Sequence, residues 1–403
     1  MKVGVLAYRF EYYTYTRTLV GIVPDVEYIK VRDLYTFLTL AARRINSAAR
    51  RQLINHFDLN NQFNDFDLNK IDLLHLFNGI SYGKTPWVGG FETILPRLRS
   101  ILPAQHGRYP GFKDVPNRLV VKRAFSALAG ESCKFIHAIS NCSAAMQLDL
   151  LNAFAEYGDA ISKKMVVKHP PQTRLMETYQ TPELPDGGLN FILVGASFFR
   201  KGGMEIVETF RDLREKYGYP IELTLVTSLR VDPYATAETE EDVTIASRFI
   251  RENQGWIHHY DSLPNPEALE KMKGAHVGLL PTYADSYGFS LLEMQAAGCP
   301  VISTNVRALP EINNEDVGWL IEVPKNRLGE AIYTTASDRQ TISTAIRQGL
   351  ERAVHEIFTN PSLVAVKGQN ALERISREHD PDQYAAWMAE IYRAAIHQQT
   401  VRR

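Results

Sequence analysis

Short apolar runs alternate with longer stretches of helical spacing along almost the whole chain. In the first half, runs at 2–8, 26–31, 71–77, 135–139 and 165–168 read as strands. Between them, 33–57, 118–130 and 144–157 carry apolar positions three and four apart, the period of an amphipathic helix. The second half repeats the scheme. It has strands at 191–194, 221–227, 256–260, 277–280, 301–304 and 317–321, and helices at 204–217, 242–253, 266–274 and 290–297. Two longer helical patterns, 341–360 and 380–399, follow. Runs that are apolar throughout, joined by helices, suit parallel sheets covered on both faces. The fold class is therefore α/β, built from two Rossmann-like parallel-sheet domains.

The pattern breaks between 168 and 190, at His169-Pro-Pro, a further proline pair and Gly187-Gly188, which is the composition of a linker. The chain divides into a first domain at 1–170, a linker at 171–188, a second domain at 189–375 and a helical tail at 376–403. Parallel sheets bind ligands beyond the carboxyl ends of their strands, so two such domains are expected to share a cleft.

Composition narrows the function. Over 403 residues, 45 basic and 46 acidic side chains leave a net charge of −1, so no nucleic-acid partner is expected. Three scattered cysteines, Cys133, Cys142 and Cys299, make neither a disulfide framework nor a zinc knuckle and are expected as small buried residues. The first apolar run is too short for a signal peptide, and none approaches the ~18 residues of a membrane span. A cytoplasmic protein is expected, with room for peripheral association at the inner face of a membrane.

Two places carry chemistry. Gly195-Ala-Ser-Phe-Phe-Arg-Lys-Gly-Gly203 follows a strand and opens a helix. Free N–H groups there attract anions, and Arg200 and Lys201 add full charges beside the flexible Gly202. A diphosphate fits, and so does a solvated basic turn. Asp285-Ser-Tyr-Gly-Phe-Ser-Leu-Leu-Glu293 follows another strand, with seven residues between its carboxylates. Asp285 suits sugar hydroxyls, Glu293 a ribose, and the N–H groups of Gly288, Phe289 and Ser290 a phosphate. The bland alternative makes Asp285 a turn residue and Glu293 a charge near a helix N-terminus. No His, Cys or Asp cluster has metal-ligand spacing, so no metal is expected. The first strand lacks Gly-x-Gly-x-x-Gly, which disfavours a dehydrogenase.

The acidic pair, Pro281 before it and Ala297-Gly-Cys-Pro-Val-Ile302 after it resemble the retaining nucleotide-sugar glycosyltransferases of the GT-B fold. These form glycosyltransferase family 4, also called glycosyl transferases group 1, which includes sucrose synthase and bacterial mannosyltransferases. The resemblance covers 191–320 well and the first half mainly as topology. It implies that Glu293 holds the donor ribose, Asp285 meets the transferred sugar, Gly288, Phe289 and Ser290 meet the diphosphate, and Lys201 neutralises it. It further implies a C-terminal helix bracing the first domain, retention of configuration, and a leaving phosphate that itself takes the acceptor proton. The donor is a nucleoside diphosphate sugar bound as a substrate, with no tightly held cofactor. The acceptor is a hydroxyl of a glycan, a lipid-linked or a small molecule.

Departures are visible. Ala196 stands where the family commonly has arginine, leaving Arg200 to supply charge. Asp285 is one methylene shorter than the usual glutamate. The loop after the first strand, Tyr8-Arg-Phe-Glu-Tyr-Tyr-Thr-Tyr-Thr-Arg17, replaces a glycine-rich one. Its rings and arginines suit a polar acceptor or a packed interface. Glu92 takes the position of a family histidine, and His106 is a second acceptor-side candidate. An epimerase or phosphorylase of the same fold, or a non-catalytic nucleotide- or sugar-binding module, is the competing reading.

Overall fold

The computed structural model describes residues 1–9, 11–115, 118–182, 187–232 and 234–400. Part of the expected linker (183–186) and the last residues of the tail (401–403) lie outside them, as do Phe10 and the side chains of Tyr8, Tyr13, Thr14 and Arg17. The chain forms two compact units. One comprises Met1–His106, Pro110–Pro171 and Asp380–Arg403; the other comprises Gly107–Tyr109 and Gln172–His379.

In the first unit the strands are β1 (Lys2–Leu6), β2 (Glu27–Val31), β3 (Gln62–Phe63), β4 (Leu73–Phe77), β5 (Ile80–Ser81), β6 (Trp87–Phe91), β7 (Cys133–Ala138) and β8 (Met165–Val167). Six of them form a sheet in the order β2-β1-β4-β6-β7-β8, while β3 pairs with β5. Every pairing is parallel. Helix Leu34–Ala48 starts at Asp33, whose carboxylate accepts from Thr36 N and Tyr35 N; helix Asn141–Ala153 starts at a capping box of Ser140 and Ser143. The expected helix at 144–157 is two, Asn141–Ala153 and Ala155–Ser162, because Phe154 leaves helical geometry. The final helix, Pro381–Thr400, lies on this unit's sheet, burying Tyr384, Met388, Tyr392 and Ala395 against Val3, Leu73 and Val88. Tyr392 Oη stands 2.6 Å from His75 Nδ1. Burial, reinforced by His137, holds the His75 imidazole well below its usual value, and burial lowers His137 to about 4.

In the second unit the strands are β9 (Leu189–Val194), β10 (Ile221–Val226), β11 (Ile257–Tyr260), β12 (Val277–Leu280), β13 (Val301–Thr304) and β14 (Gly318–Ile321). Their order is β11-β10-β9-β12-β13-β14. The first three strands step outward one way and the next three the other way, which is the doubly wound order with its reversal between β9 and β12. These two pair in parallel, Val277 with Phe191 and Leu279 with Leu193. Their carboxyl ends therefore sit side by side, and the loops leaving them meet. Helix Ser362–Glu378 was not anticipated, since 361–379 falls between the two long helical patterns. Cys133 and Cys299 are buried and Cys142 half-buried, none of them joined in a disulfide. Among the described residues, no helix is long and apolar enough to cross a membrane.

Candidate functional site

The reversal between β9 and β12 builds the site. β9 ends at Val194, and Gly195 follows with φ +138°. A Cβ on Gly195 would lie 2.5 Å from Lys201 Cε and 3.1 Å from its Nζ. Only glycine lets the lysine chain fold back across the strand end. Ser197, also at positive φ (+74°), turns the loop toward helix Gly203–Tyr217. Gly202 caps that helix at φ +75°, where a Cβ would run into the Pro281 carbonyl just past β12. The two loops are thus pressed backbone to backbone. Tyr283 N and Thr282 Oγ1 donate to Arg200 O at 2.8 and 2.9 Å, which ties them together.

The consequence is a contact between residues 84 apart in sequence: Lys201 Nζ lies 3.2 Å from Asp285 Oδ2. The side chains are 9% and 17% exposed. Asp285 Oδ1 meanwhile accepts from Gly288 N at 2.9 Å and Tyr287 N at 3.2 Å. Burial pushes the Asp285 carboxyl up, but Lys201 and the backbone donors outweigh it and hold the group below its usual value. Gly288 (φ +93°) then opens helix Phe289–Ala296. Its N–H groups point toward the strand ends, as at any helix start. Ser290 Oγ is buried and has no hydrogen-bond partner among the described residues. Glu293 is 6% exposed and is the fifth residue of the helix. It stands one turn in, beyond the first turn where a carboxylate gains most from the helix dipole.

Arg200 is committed elsewhere. Its Nε pairs with Asp232 Oδ2 at 2.8 Å, and its other nitrogens donate to Ala284 O at 3.0 Å and Ser197 Oγ at 3.1 Å. The guanidinium braces both loops, with its charge largely matched by Asp232. Asp232 escaped the sequence reading. Its partner is 32 residues away in sequence.

Glu92 and His106 belong to the first unit. Glu92 follows β6, forms an ion pair with Arg97 at 2.7 Å and accepts from Asn78 Nδ2 at 3.2 Å. His106 is half-buried at the end of a short helical turn, its backbone N–H donating to Pro103 O. After β1, Arg9 donates to the carbonyls of Phe77 and Asn60, and Tyr15, in the short helix Tyr13–Thr18, is buried among Val5 and Leu19. Those two groups serve the interior of the unit. Among the described residues, no group of three His, Cys, Asp or Glu side chains is gathered for a metal.

Residues 177–351 match the family model described as Glycosyl transferases group 1. O-antigen chain mannosyltransferase B of Escherichia coli is 28% identical over 112 residues, 28% of this chain and 29% of that protein. Glycogen synthase of Mycobacterium tuberculosis is 22% identical over 304 residues, 75% of this chain and 64% of the synthase. The chain thus spans less than two thirds of the length of these relatives. Among solved structures, sucrose-phosphate synthase from Thermosynechococcus elongatus superposes with a TM-score of 0.54 at 15% identity, covering 91% of this chain and 80% of that one. HepE of Anabaena in complex with UDP gives 0.52 at 12% identity, covering 91% and 85%. The chain therefore has the GT-B fold, two Rossmann-like units with a C-terminal helix returned to the first, and its second unit carries the Glycosyl transferases group 1 pattern.

Proposed function

We propose that this protein is a glycosyltransferase that moves a sugar from a nucleoside diphosphate sugar to an acceptor hydroxyl with retention of configuration. One observation carries the reading. A lysine from the β9 loop and a carboxylate from the β12 loop meet at the topological reversal, beside a helix start that holds an unpartnered Ser290 hydroxyl. A cation and free N–H groups are what a departing diphosphate requires. The family match over 177–351 and the UDP held by HepE support the same assignment.

In this reading Glu293 accepts both ribose hydroxyls. Lys201 and the N–H groups of Phe289 and Ser290 stabilise the diphosphate as it leaves, with Gly288 N–H held by Asp285 and Arg200 holding the two loops in register. Asp285 shares Lys201 with the donor and accepts a hydroxyl of the transferred sugar. The bond between the anomeric carbon and the phosphate oxygen breaks, the acceptor oxygen bonds to that carbon on the same face, and its proton passes to the released phosphate. No strong protein base is needed. Glu92 and His106 are the acceptor-side candidates, orienting the incoming hydroxyl.

A thermal-shift screen over nucleoside diphosphates and their sugars tests the donor half, because a ligand that binds the folded state raises its melting temperature by mass action. At least one should stabilise the protein, and Lys201→Ala and Glu293→Ala should each abolish the shift. A folded protein that responds to none of them refutes the proposal. NMR of the anomeric proton in product formed from a defined donor tests retention.

A further inference from the structure

Helix Gly203–Tyr217 carries a buried carboxyl group that the chemistry above leaves unused. Glu205, its third residue, is 7% exposed, and among the described residues no cation is paired with it. Burying a carboxyl group without a cation partner is costly, and a place in the first turn of a helix offsets that only in part. Its partners are two hydroxyls instead. Tyr283 Oη and Ser343 Oγ, 78 and 138 residues away in sequence, both donate to Glu205 Oε1 at 2.7 Å. Burial, with Glu205 beside it, pushes the Tyr283 phenol up, so it stays an O–H donor.

Tyr283 connects this cluster to the site. It stands two residues before Asp285, in the loop that leaves β12, and is buried. Its backbone N–H is held by Arg200 O at 2.8 Å. Its phenol reaches Glu205 where helix Gly203–Tyr217 meets helix Ala336–Thr359, which carries Ser343. The next residue, Ala284, is fixed at both ends: its N–H donates to Thr282 Oγ1 at 3.2 Å, and its carbonyl accepts from Arg200 at 3.0 Å. Asp285 therefore inherits its place from Tyr283. Lys201 precedes Glu205 by four residues. One buried hydrogen bond thus joins the two segments that bring Lys201 Nζ within 3.2 Å of Asp285. The helix start after them is fixed separately, with Gly288 against Leu309 and Ile312.

We propose that Glu205 and Tyr283 are positioning residues of the donor site: their hydrogen bond sets where Asp285 stands beside Lys201, and so how well the transferred sugar is held. The inference rests on the donor reading given above. Both residues are buried and act through Asp285.

Amide hydrogen exchange of the ligand-free chain tests the positioning. Tyr283→Phe removes one hydroxyl and keeps the ring. It should speed exchange about fivefold or more at the amides of Tyr287 and Gly288, which Asp285 holds, and leave β10 unchanged. Glu205→Ala should do the same, while Glu205→Gln, which keeps an accepting oxygen, should restore the wild-type rate. Calorimetric titration then reads the ligand. For the nucleoside diphosphate that stabilises the protein in the screen above, Tyr283→Phe should stay within about twofold of wild type, and for its sugar conjugate it should bind about fivefold to tenfold more weakly. Unchanged exchange at Tyr287 and Gly288 overturns the proposal. So does an equal loss for the diphosphate and its sugar conjugate, or a Glu205→Gln variant no better than Glu205→Ala, since either marks a merely structural role. A wild type that binds no nucleoside diphosphate refutes the donor reading instead, and exchange still decides whether Glu205 and Tyr283 place Asp285.

Discussion

Asp285→Asn separates the two jobs that the Lys201–Asp285 pair performs. The charges are 3.2 Å apart, and with an effective dielectric near 20 their attraction is about 5 kcal/mol before the cost of taking both from water. That cost is substantial at 9% and 17% exposure, and breaking a fully buried pair typically costs about 3–5 kcal/mol. The amide keeps an oxygen able to accept from Gly288 N, so the expected loss is about 2 kcal/mol. Binding should move the other way. Removing a carboxylate beside Lys201 frees that cation for a diphosphate, so nucleoside diphosphate affinity should hold or rise, by up to about tenfold, or 1.4 kcal/mol. Transfer should nevertheless fall sharply, because the sugar loses its carboxylate. The pH dependence has a definite sign. The folded carboxyl sits below its usual value, so the pair's stabilisation is present above the ordinary carboxylate range and is lost as pH falls through the folded value. Asp285→Asn should lack that acid-side loss. Urea unfolding at several pH values, calorimetric titration with the stabilising diphosphate and a transfer assay report the three effects. A variant as stable as wild type that binds the diphosphate ten times more weakly would refute the reasoning, since the carboxylate would then be helping to hold the anion.

Other perturbations reach the same structure from different sides. Gly202→Val puts a branched side chain at φ +75° and against the Pro281 carbonyl, so it should cost about 2 kcal/mol or more in urea unfolding and weaken diphosphate binding by parting the loops. The first unit should lose stability in mild acid. With His137 at about 4 when folded and near 6.5 when unfolded, the unfolded chain binds the extra proton between those values. His137 alone should remove about 2 kcal/mol of stability between pH 7 and pH 5, His75 adds its own loss in the same direction, and His137→Gln should lessen the slope without abolishing it.

The periodic pattern determined the class of fold because each strand and helix has to bury its own apolar face, and that demand is written locally. β12 (Val277–Leu280) and β13 (Val301–Thr304) can be read at their observed ends, since apolar runs stop where loops need polar residues and glycine. Gly202 was legible as a flexible point beside the basic pair, and the spacing of Asp285 and Glu293 was legible through its family resemblance. Order among the strands was not. Nothing near Val194 says that its sheet neighbour lies at Val277, because pairing in a parallel sheet is decided by long crossovers and by the packing of the whole layer. That neighbourhood brought Lys201 to Asp285 and turned Arg200 from a free phosphate ligand in the sequence reading into a brace matched by Asp232. The same limit hid which face of helix Leu34–Ala48 is buried. Its amphipathic period shows in the sequence, but which side meets the protein is settled only by what the rest of the unit presents to it, and there the unit packs against Thr36, Thr39 and Ala42 and leaves Phe37 and Leu38 outside.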